Sequence, residues 1–458
     1  MAATDKEALE GKGFAEKEAS AEAVSLETSA SKLIKFGGFA ILETTIDGAQ
    51  NLNPEKKARK KIFLTEDAKK TERQALKRRL ELLNGLLSEA QAVPELIEKA
   101  QQKADAAQEL LQANLLKGLE ATRQLETSYR SVNNFYKNAD QDKLKNVYLM
   151  NAEMDQLTDL DNTTFIDAVS EELESKYDRL DLRESYSILS IPGYLGSKKV
   201  VDKWARIANK NKVMLVTDFQ HLDAPEDVVD MFESADLAGG DLYLSNVMMA
   251  CNYLVGRGKE QAVGEEEDLY VPGSTALAGK VYGTLMSQVT AGRKHGALNE
   301  VDGVRFPLKK SEIAAIEKLG LIPMVNEYGK VMPFSAKTLF NGDNIGLQTY
   351  SVVRVFDYIT KVLIDFLNRR AFENFNTNTR MDIQKQIVKF LDSVTGPGKL
   401  IEKFKLLRFE QDPKQKDRIY LDIHMVPYFP SKTFLIKLDG QNGDDPDSAE
   451  WKAEYGQQ

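Results

Sequence analysis

The sequence predicts an α/β (α+β) protein: a helical N-terminal region, a central part containing a βαβ unit, and antiparallel strands near the C-terminus. Three patterns lead there. Leu76, Leu80, Leu83 and Leu87 recur at helical spacing, Tyr186–Thr217 reads strand, helix, strand, and Ile419, Leu421, Ile423 and Met425 alternate with polar residues as a half-buried strand does. The 458 residues suit two to four domains, each able to bury a core. Composition shifts divide the chain into an acidic flexible tail (1–30), a linker strand (31–47), a helical arm or hairpin (48–124), an α/β domain (125–270), a second core domain ending in strands (271–440) and an acidic polar tail (441–458).

The first thirty residues hold three Lys and seven acids among small side chains, too few apolar groups to offset the entropy of ordering. Ile34, Phe36, Phe39, Ile41 and Ile46 then surround Gly37-Gly38, a run that favours extended chain with a break and has no sequential strand partner. Residues 48–80 carry eleven Lys or Arg against four acids, a solvated basic face. The leucine stripe at 76–87 belongs to one helix, and after Pro94 a second helix resumes at Ile97, Ala100, Ala104, Ala107 and Leu111.

Past Leu125 the period changes. Leu144–Leu149 and Tyr186–Ile191 read as strands, Ser197–Lys210 as a helix capped by Ser197, and Val213–Thr217 as a buried strand; the last three make the βαβ unit. Pro225 opens a further helix with Glu226 and Asp227 near its positive end. Helical signals continue over Leu244–Val255, Thr275–Ser287, Ser311–Leu319, Gln348–Asn368 and Thr379–Val394. Phe404–Glu410, Arg418–Tyr428 and Thr433–Asp439 form an expected antiparallel meander, after which five acids and one Lys make a polar tail.

Catalytic chemistry is not evident. A net charge of −9 leaves no chain-wide footprint for nucleic acid or anionic membrane, and one cysteine, Cys251, forms neither an internal disulfide nor a multi-thiolate site. His221, His295 and His424 are too far apart for a local two-histidine metal motif. Gly273–Val281 departs from a phosphate loop twice, with five residues between its glycines and Val281 after Lys280, so a helix start at a packing surface is expected. The glycine turn at Gly193–Lys199 needs only turn chemistry, and the acidic run Glu265–Asp268 reads as a solvated loop. No apolar stretch reads as a signal peptide or membrane span, and the cytoplasm is the expected compartment. No catalytic, cofactor-binding or metal residue is expected.

The run Leu125-Glu126-Thr127-Ser128-Tyr129-Arg130-Ser131-Val132, followed by Leu144–Leu149 and Met154-Asp155-Gln156-Leu157, resembles the entry to the large sheath subunit of type VI secretion systems, the TssC/VipB family. Glu184–Leu189 with its helix and Val213–Phe219, Thr275–Gly279, Glu312–Met324 and the Arg354-Val355-Phe356-Asp357-Tyr358 core of Gln348–Phe366 resemble further family segments in the same order, over roughly residues 125–440. Tyr129 stands where the family commonly has Trp, which marks a divergent branch.

The resemblance implies a contractile-sheath-like structural subunit rather than an enzyme. It implies pairing with a small sheath subunit of the TssB/VipA type, polymerisation with copies of itself around an inner tube of the Hcp type, attachment to a baseplate, and recycling by an AAA+ unfoldase of the ClpV type that grips near Glu16–Thr28. Nucleic acid, membrane insertion and a cofactor are not implied. Inter-subunit strand pairing is expected at Ile34, Phe36, Phe39, Ile41, Ile46, Ile419, Leu421, Ile423, Phe434, Ile436 and Leu438, and helical packing at Leu76, Leu80, Leu83 and Leu87. The residues themselves leave two other classes open: an α/β enzyme with a coiled-coil arm, and a scaffold that forms no filament.

Overall fold

The structure is a computed structural model describing residues 25–89, 92–179, 182–432, 434–441 and 450–456. It divides into two compact units, Met1–Lys117 and Gly118–Gln458.

In the first unit, residues 25–34 form α1, followed by α2 (Phe39–Thr45), α3 (Lys57–Thr65), α4 (Lys70–Glu89) and the start of α5 (Val93–Asn138). The expected linker strand over 31–47 is therefore helical. Its β-favouring residues are overridden by the helical spacing of the buried set, Leu26, Ala30 and Leu33 on α1 and Leu42 and Ile46 at the far end. The expected break falls at Gly38, whose φ of 84° turns the chain between the two helices. Leu76 and Leu80 are fully buried in the same cluster, with Leu83 and Leu87 at its rim. Arg73 is buried beside them and donates to the carbonyls of Phe63 (3.0 Å) and Glu66 (2.6 Å), closing the C-terminal end of α3. Pro94 sits in the first turn of α5, where a missing N–H costs nothing. The tail assigned to 1–30 and the grip assigned to Glu16–Thr28 lie outside the described residues up to residue 24; from 25 onward the chain is helix.

In the second unit the helices are the rest of α5, α6 (Met154–Thr158), α7 (Thr164–Tyr177), α8 (Lys198–Lys210), α9 (Pro225–Ala235), α10 (Ser274–Gly283), α11 (Gly292–His295), α12 (Lys310–Lys318), α13 (Ile345–Gln348), α14 (Tyr350–Arg369) and α15 (Thr377–Ser393). The strands are β1 (Ile188–Ile191), β2 (Met214–Asp218), β3 (Val247–Cys251), β4 (Leu254–Arg257), β5 (Leu269–Val271), β6 (Gly303–Val304), β7 (Ile322–Glu327), β8 (Lys330–Pro333), β9 (Ile401–Gln411), β10 (Ile419–Pro427), β11 (Leu435–Gln441) and β12 (Glu450–Gly456).

A five-stranded sheet in the order β1-β2-β3-β7-β8 forms the centre, parallel except for β8. The βαβ unit is β1-α8-β2, with Ser197 at the N-cap position although its side chain makes no capping bond. Both faces of the sheet are covered. Leu215, Val247, Met249 and Cys251 face a core built with Trp204 of α8 and Phe232 of α9, while Met214, Val216, Met248 and Ala250 face one built with Leu277 of α10 and Tyr350 of α14.

Double burial explains the misread helix. Leu244–Val255 is a 3₁₀ turn followed by β3 and the start of β4, because a strand buried on both faces is apolar at every position and shows no period of two. Residues 144–153, expected to begin as a strand, carry no regular structure; Val147, Tyr148 and Leu149 are exposed, and nothing pairs with them among the described residues. The C-terminal meander is also corrected. β9 pairs with β10 and β11 pairs with β12, as two separate two-stranded sheets, so part of the expected polar tail is strand. Pro427 ends β10 and Pro430 lies in the link that follows, and neither has an N–H to give to a ladder.

The end of α5 crosses α10 at a point where only glycine fits: a Cβ at Gly279 falls 2.3 Å from the Phe135 carbonyl oxygen. Gly279→Ala therefore destabilises the protein by about 2–3 kcal/mol, read as a lowered urea midpoint. Gly85→Ala, in open space inside α4, has the opposite sign and gains about 0.5–1 kcal/mol; equal effects of the two would contradict the packing.

Candidate assembly surfaces

The interior is closed to chemistry in the places where sequence motifs stand. Asp218, at the end of β2, is buried and accepts from the Ser274 N–H (2.8 Å) and the Gly193 N–H (2.9 Å), so the start of α10 and the glycine turn after β1 are both held by a carboxylate of the chain itself. Burial pushes that carboxyl up to about 6. Cys251 is buried and its thiol is raised far above its ordinary range by the same cause. His221 stacks on Tyr253 at 4.6 Å between ring centroids and is held below its usual value chiefly by burial, while His424 is exposed on β10. Among the described residues no cluster of three His, Cys, Asp or Glu is placed to hold a metal ion.

The acidic run at 265–268 is not all solvated. Glu265 is only 8% exposed, accepts from Arg257 at 2.6 Å and from the Glu260 N–H at 2.9 Å, and pairs with Arg123 at 3.3 Å. Arg257 also meets Glu126 (3.1 Å), which pairs with Arg130 (2.9 Å), and Arg130 donates to the Gly256 carbonyl (2.7 Å). Glu126 and Arg130 thus do structural work, fastening α5 to β4. Nothing local marks Glu265 as a member; its partners are 8 and 142 residues away.

Several apolar surfaces lack a partner among the described residues. On β11, Leu435 (60% exposed) and Ile436 (52%) point to opposite faces, and Phe434 and Leu438 are exposed as well, so neither face of β11 is covered by the described residues. An isolated two-stranded hairpin is marginal in water. On β10 the expected pairing residues behave differently: Leu421 and Ile423 pack against the cluster of Ile359, Ile387 and Phe409, and Ile419 is exposed. In the first unit Phe36 and Ile41 are exposed, Ile34 and Phe39 half-buried and Ile46 buried, while Ile97, Leu110, Leu111 and Leu115 lie exposed along α5. The sequence pattern singles out Phe36, Ile41, Ile97, Leu111, Phe434, Ile436 and Leu438 without showing which face the fold leaves bare, and it misses Leu435, Leu110 and Leu115.

Three family models cover nearly the whole chain: the TssC/VipB-like N-terminal region over residues 26–115, the type VI secretion system TssC/VipB central domain over 117–341 and the TssC/VipB-like C-terminal domain over 349–457. The chain belongs to the TssC/VipB family. It is a structural subunit of a contractile sheath. No curated protein matches it by sequence. Among solved structures, the helical sheath of the anti-feeding prophage in its contracted state is similar over 67% of this chain and 80% of its own, at 16% identity and a TM-score of 0.46. The contracted sheath complex of the extracellular contractile injection system PVC is similar over 70% and 81%, at 13% identity and a TM-score of 0.48. A chain of the anti-feeding prophage baseplate is similar over 51% of this chain, which spans 62% of that chain's length, at 15% identity and a TM-score of 0.39. Among the described residues no helix is long and apolar enough to cross a membrane.

The two buried carboxylates have opposite pH signatures. Hydrogen bonding from Arg257 holds Glu265 down to about 2 against an ordinary 4.5, so its stabilisation is present above pH 4.5 and is lost as pH falls toward 2. Asp218 is raised from 3.8 to about 6, so its contribution is full below pH 3.8 and is lost as pH rises through 6. In urea titrations, Glu265→Gln costs about 1–3 kcal/mol at pH 7 and flattens the loss of stability between pH 5 and 3. Asp218→Asn flattens the decline between pH 4 and 7. Parallel pH profiles for wild type and both variants would refute the assignment.

Proposed function

We propose that this chain is the large subunit of a type VI secretion sheath. It pairs with a small sheath subunit of the TssB/VipA type, polymerises around an inner tube of the Hcp type on a baseplate, contracts in the cytoplasm to drive the tube, and is afterwards extracted by a ClpV-type unfoldase. It carries out no catalysis; the ATP is spent by the unfoldase. The observation that supports this reading most directly is the β11–β12 hairpin, which has apolar side chains on both faces of β11. Such a hairpin gains its burial and its edge hydrogen bonds from strands of other chains. A sheath needs such links, since they keep subunits joined while rigid bodies move.

Phe434, Ile436 and Leu438 are the strand-pairing residues of this proposal, together with Ile419 on β10. Phe36 and Ile41 serve the N-terminal linkage as exposed helical and turn residues rather than as a strand. Ile34, Phe39 and Ile46 instead contribute to the core of the first unit, as do Leu76, Leu80, Leu83 and Leu87. Deleting residues 1–47 would therefore remove Leu26, Leu33 and Leu42 from that core and confuse unfolding with failed assembly.

Point variants separate the two effects. Phe36→Asp, and separately Ile436→Asp with Leu438→Asp, leave the isolated chain's urea midpoint within about 0.5 kcal/mol of wild type, as surface changes do. The wild-type chain co-expressed with the small subunit is expected to form hollow tubules in electron microscopy, and these variants are expected to abolish them. Wild-type tubule yield from the β11 variant would overturn the hairpin's role. A wild-type pair that forms only discrete particles would overturn the sheath proposal itself.

A further inference from the structure

The second unit contains a cavity of about 310 Å³ beside the N-terminal ends of β1 and β2, walled on one side by α14. Arg354, Asp357 and Lys361 project into it from one stripe of that helix, and Lys212 lines it from the turn before β2. Arg354 and Lys361 are each only 7% exposed. Their hydrogen bonds go to main-chain carbonyls: Arg354 Nη1 to Val281 (3.1 Å) and Lys361 Nζ to Tyr186 (2.7 Å). Among the described residues no carboxylate lies within ion-pairing distance of Arg354, Lys361 or Lys212. Asp357 is the one carboxylate in the cavity wall; it attracts Lys361 and Lys212 without an ion-pair contact and its Oδ2 accepts from Asn246 (2.7 Å), so a single carboxylate faces three cations.

Two desolvated cations that share this single carboxylate with Lys212 are costly. Burial already holds Lys361 down to about 8 and Arg354 down to about 10. An incoming anion relieves that penalty. The two cations stand seven residues apart, about 10 Å along the helix axis, so they offer two attachment points rather than one. Met214, Met286, Tyr282 and Tyr358 add apolar and aromatic surface to the wall, and Ser185, Ser187 and Thr284 add hydroxyls, a mixture that suits an organic body more than a bare inorganic ion.

We propose that this cavity binds a polycarboxylate, with separate carboxylates held by the Arg354 guanidinium and the Lys361 ammonium and with Lys212 adding positive charge beside them. The chemistry is the same whether the groups belong to a free organic acid or to neighbouring acidic side chains of another polypeptide. The proposal does not rest on the sheath reading and survives or fails without it.

Isothermal titration of the full chain with citrate, at ionic strength held constant with sodium chloride, tests it. Saturable citrate binding is expected, weakened at least tenfold by Lys361→Met, which replaces a buried charge with an apolar side chain of similar length. Lys212→Gly is the second variant. Lys212 has a φ of 52°, which glycine adopts freely, so the fold is retained while the charge is lost, and weaker binding is again expected. A tetra-aspartate peptide titrated in parallel separates the sources: tighter peptide binding assigns the site to a protein partner, and tighter citrate binding to a free acid. Absence of saturable binding by both probes, or equal binding by wild type and both variants, overturns the proposal.

Discussion

A parallel sheet has to be covered on both faces, because its strands connect through helices that lie over it and its residues alternate between two sides that are equally apolar. In this protein the requirement organises the second unit. α8, α9 and α12 cover one face, and α10 and α14 cover the other. Covering the second face brings α10 against the end of α5, where Gly279 lets the backbones touch. That contact sets the register in which Glu126 and Arg130 of α5 meet Arg257 of β4 and, through it, Glu265. The Leu125–Val132 run that resembles the family entry is thus a fastening, and its charges serve the fold.

How legible each element is in the sequence follows from how it is buried. The βαβ unit and the helices at Pro225, Ser311 and Thr379 are readable, because a one-sided apolar stripe and a terminal cap leave a local trace. β3 is not, because burial on both faces erases the period that separates strand from helix. The stretch 34–46 misleads for a different reason: its residue types favour strand, while the spacing of Leu26, Ala30 and Leu33 before the turn, and of Leu42 and Ile46 after it, favours helix, and tertiary packing follows the spacing. β11 is readable as a strand but its partner is not, since register with β12 depends on residues across an acidic, turn-rich stretch. Glu265 is hidden by distance: its role exists only once Arg123, 142 residues earlier, is brought beside it.

Membership of the TssC/VipB family gives a physical setting to the surfaces this chain leaves bare. A monomer that had to be stable and inert alone would gain by covering the exposed leucines of α5 and both faces of β11. Leaving them open is costly for an isolated chain, and the proposed assembly would offset that cost by burying them. The interior is settled by contrast: the helix start that resembles a phosphate loop is occupied by Asp218, and the one cysteine is buried among methionines and valines.

The molecule treats its buried charges in three ways, and the difference identifies the unfinished one. Asp218 is matched by main-chain donors from two loops, which lets a carboxyl group reside at a helix start without a cation. Glu265 is matched by guanidinium groups from two elements and a main-chain N–H, and is held strongly acidic as a result. Arg354 and Lys361 are matched less fully: each gives one hydrogen bond to a carbonyl oxygen, Lys361 lies over the Tyr177 ring, the single carboxylate Asp357 faces them together with Lys212, and both are held below their ordinary values. Carbonyl dipoles do not neutralise a full charge as a carboxylate does. The first two arrangements are complete within one chain; the third has the form of a site whose counter-charge arrives from outside it.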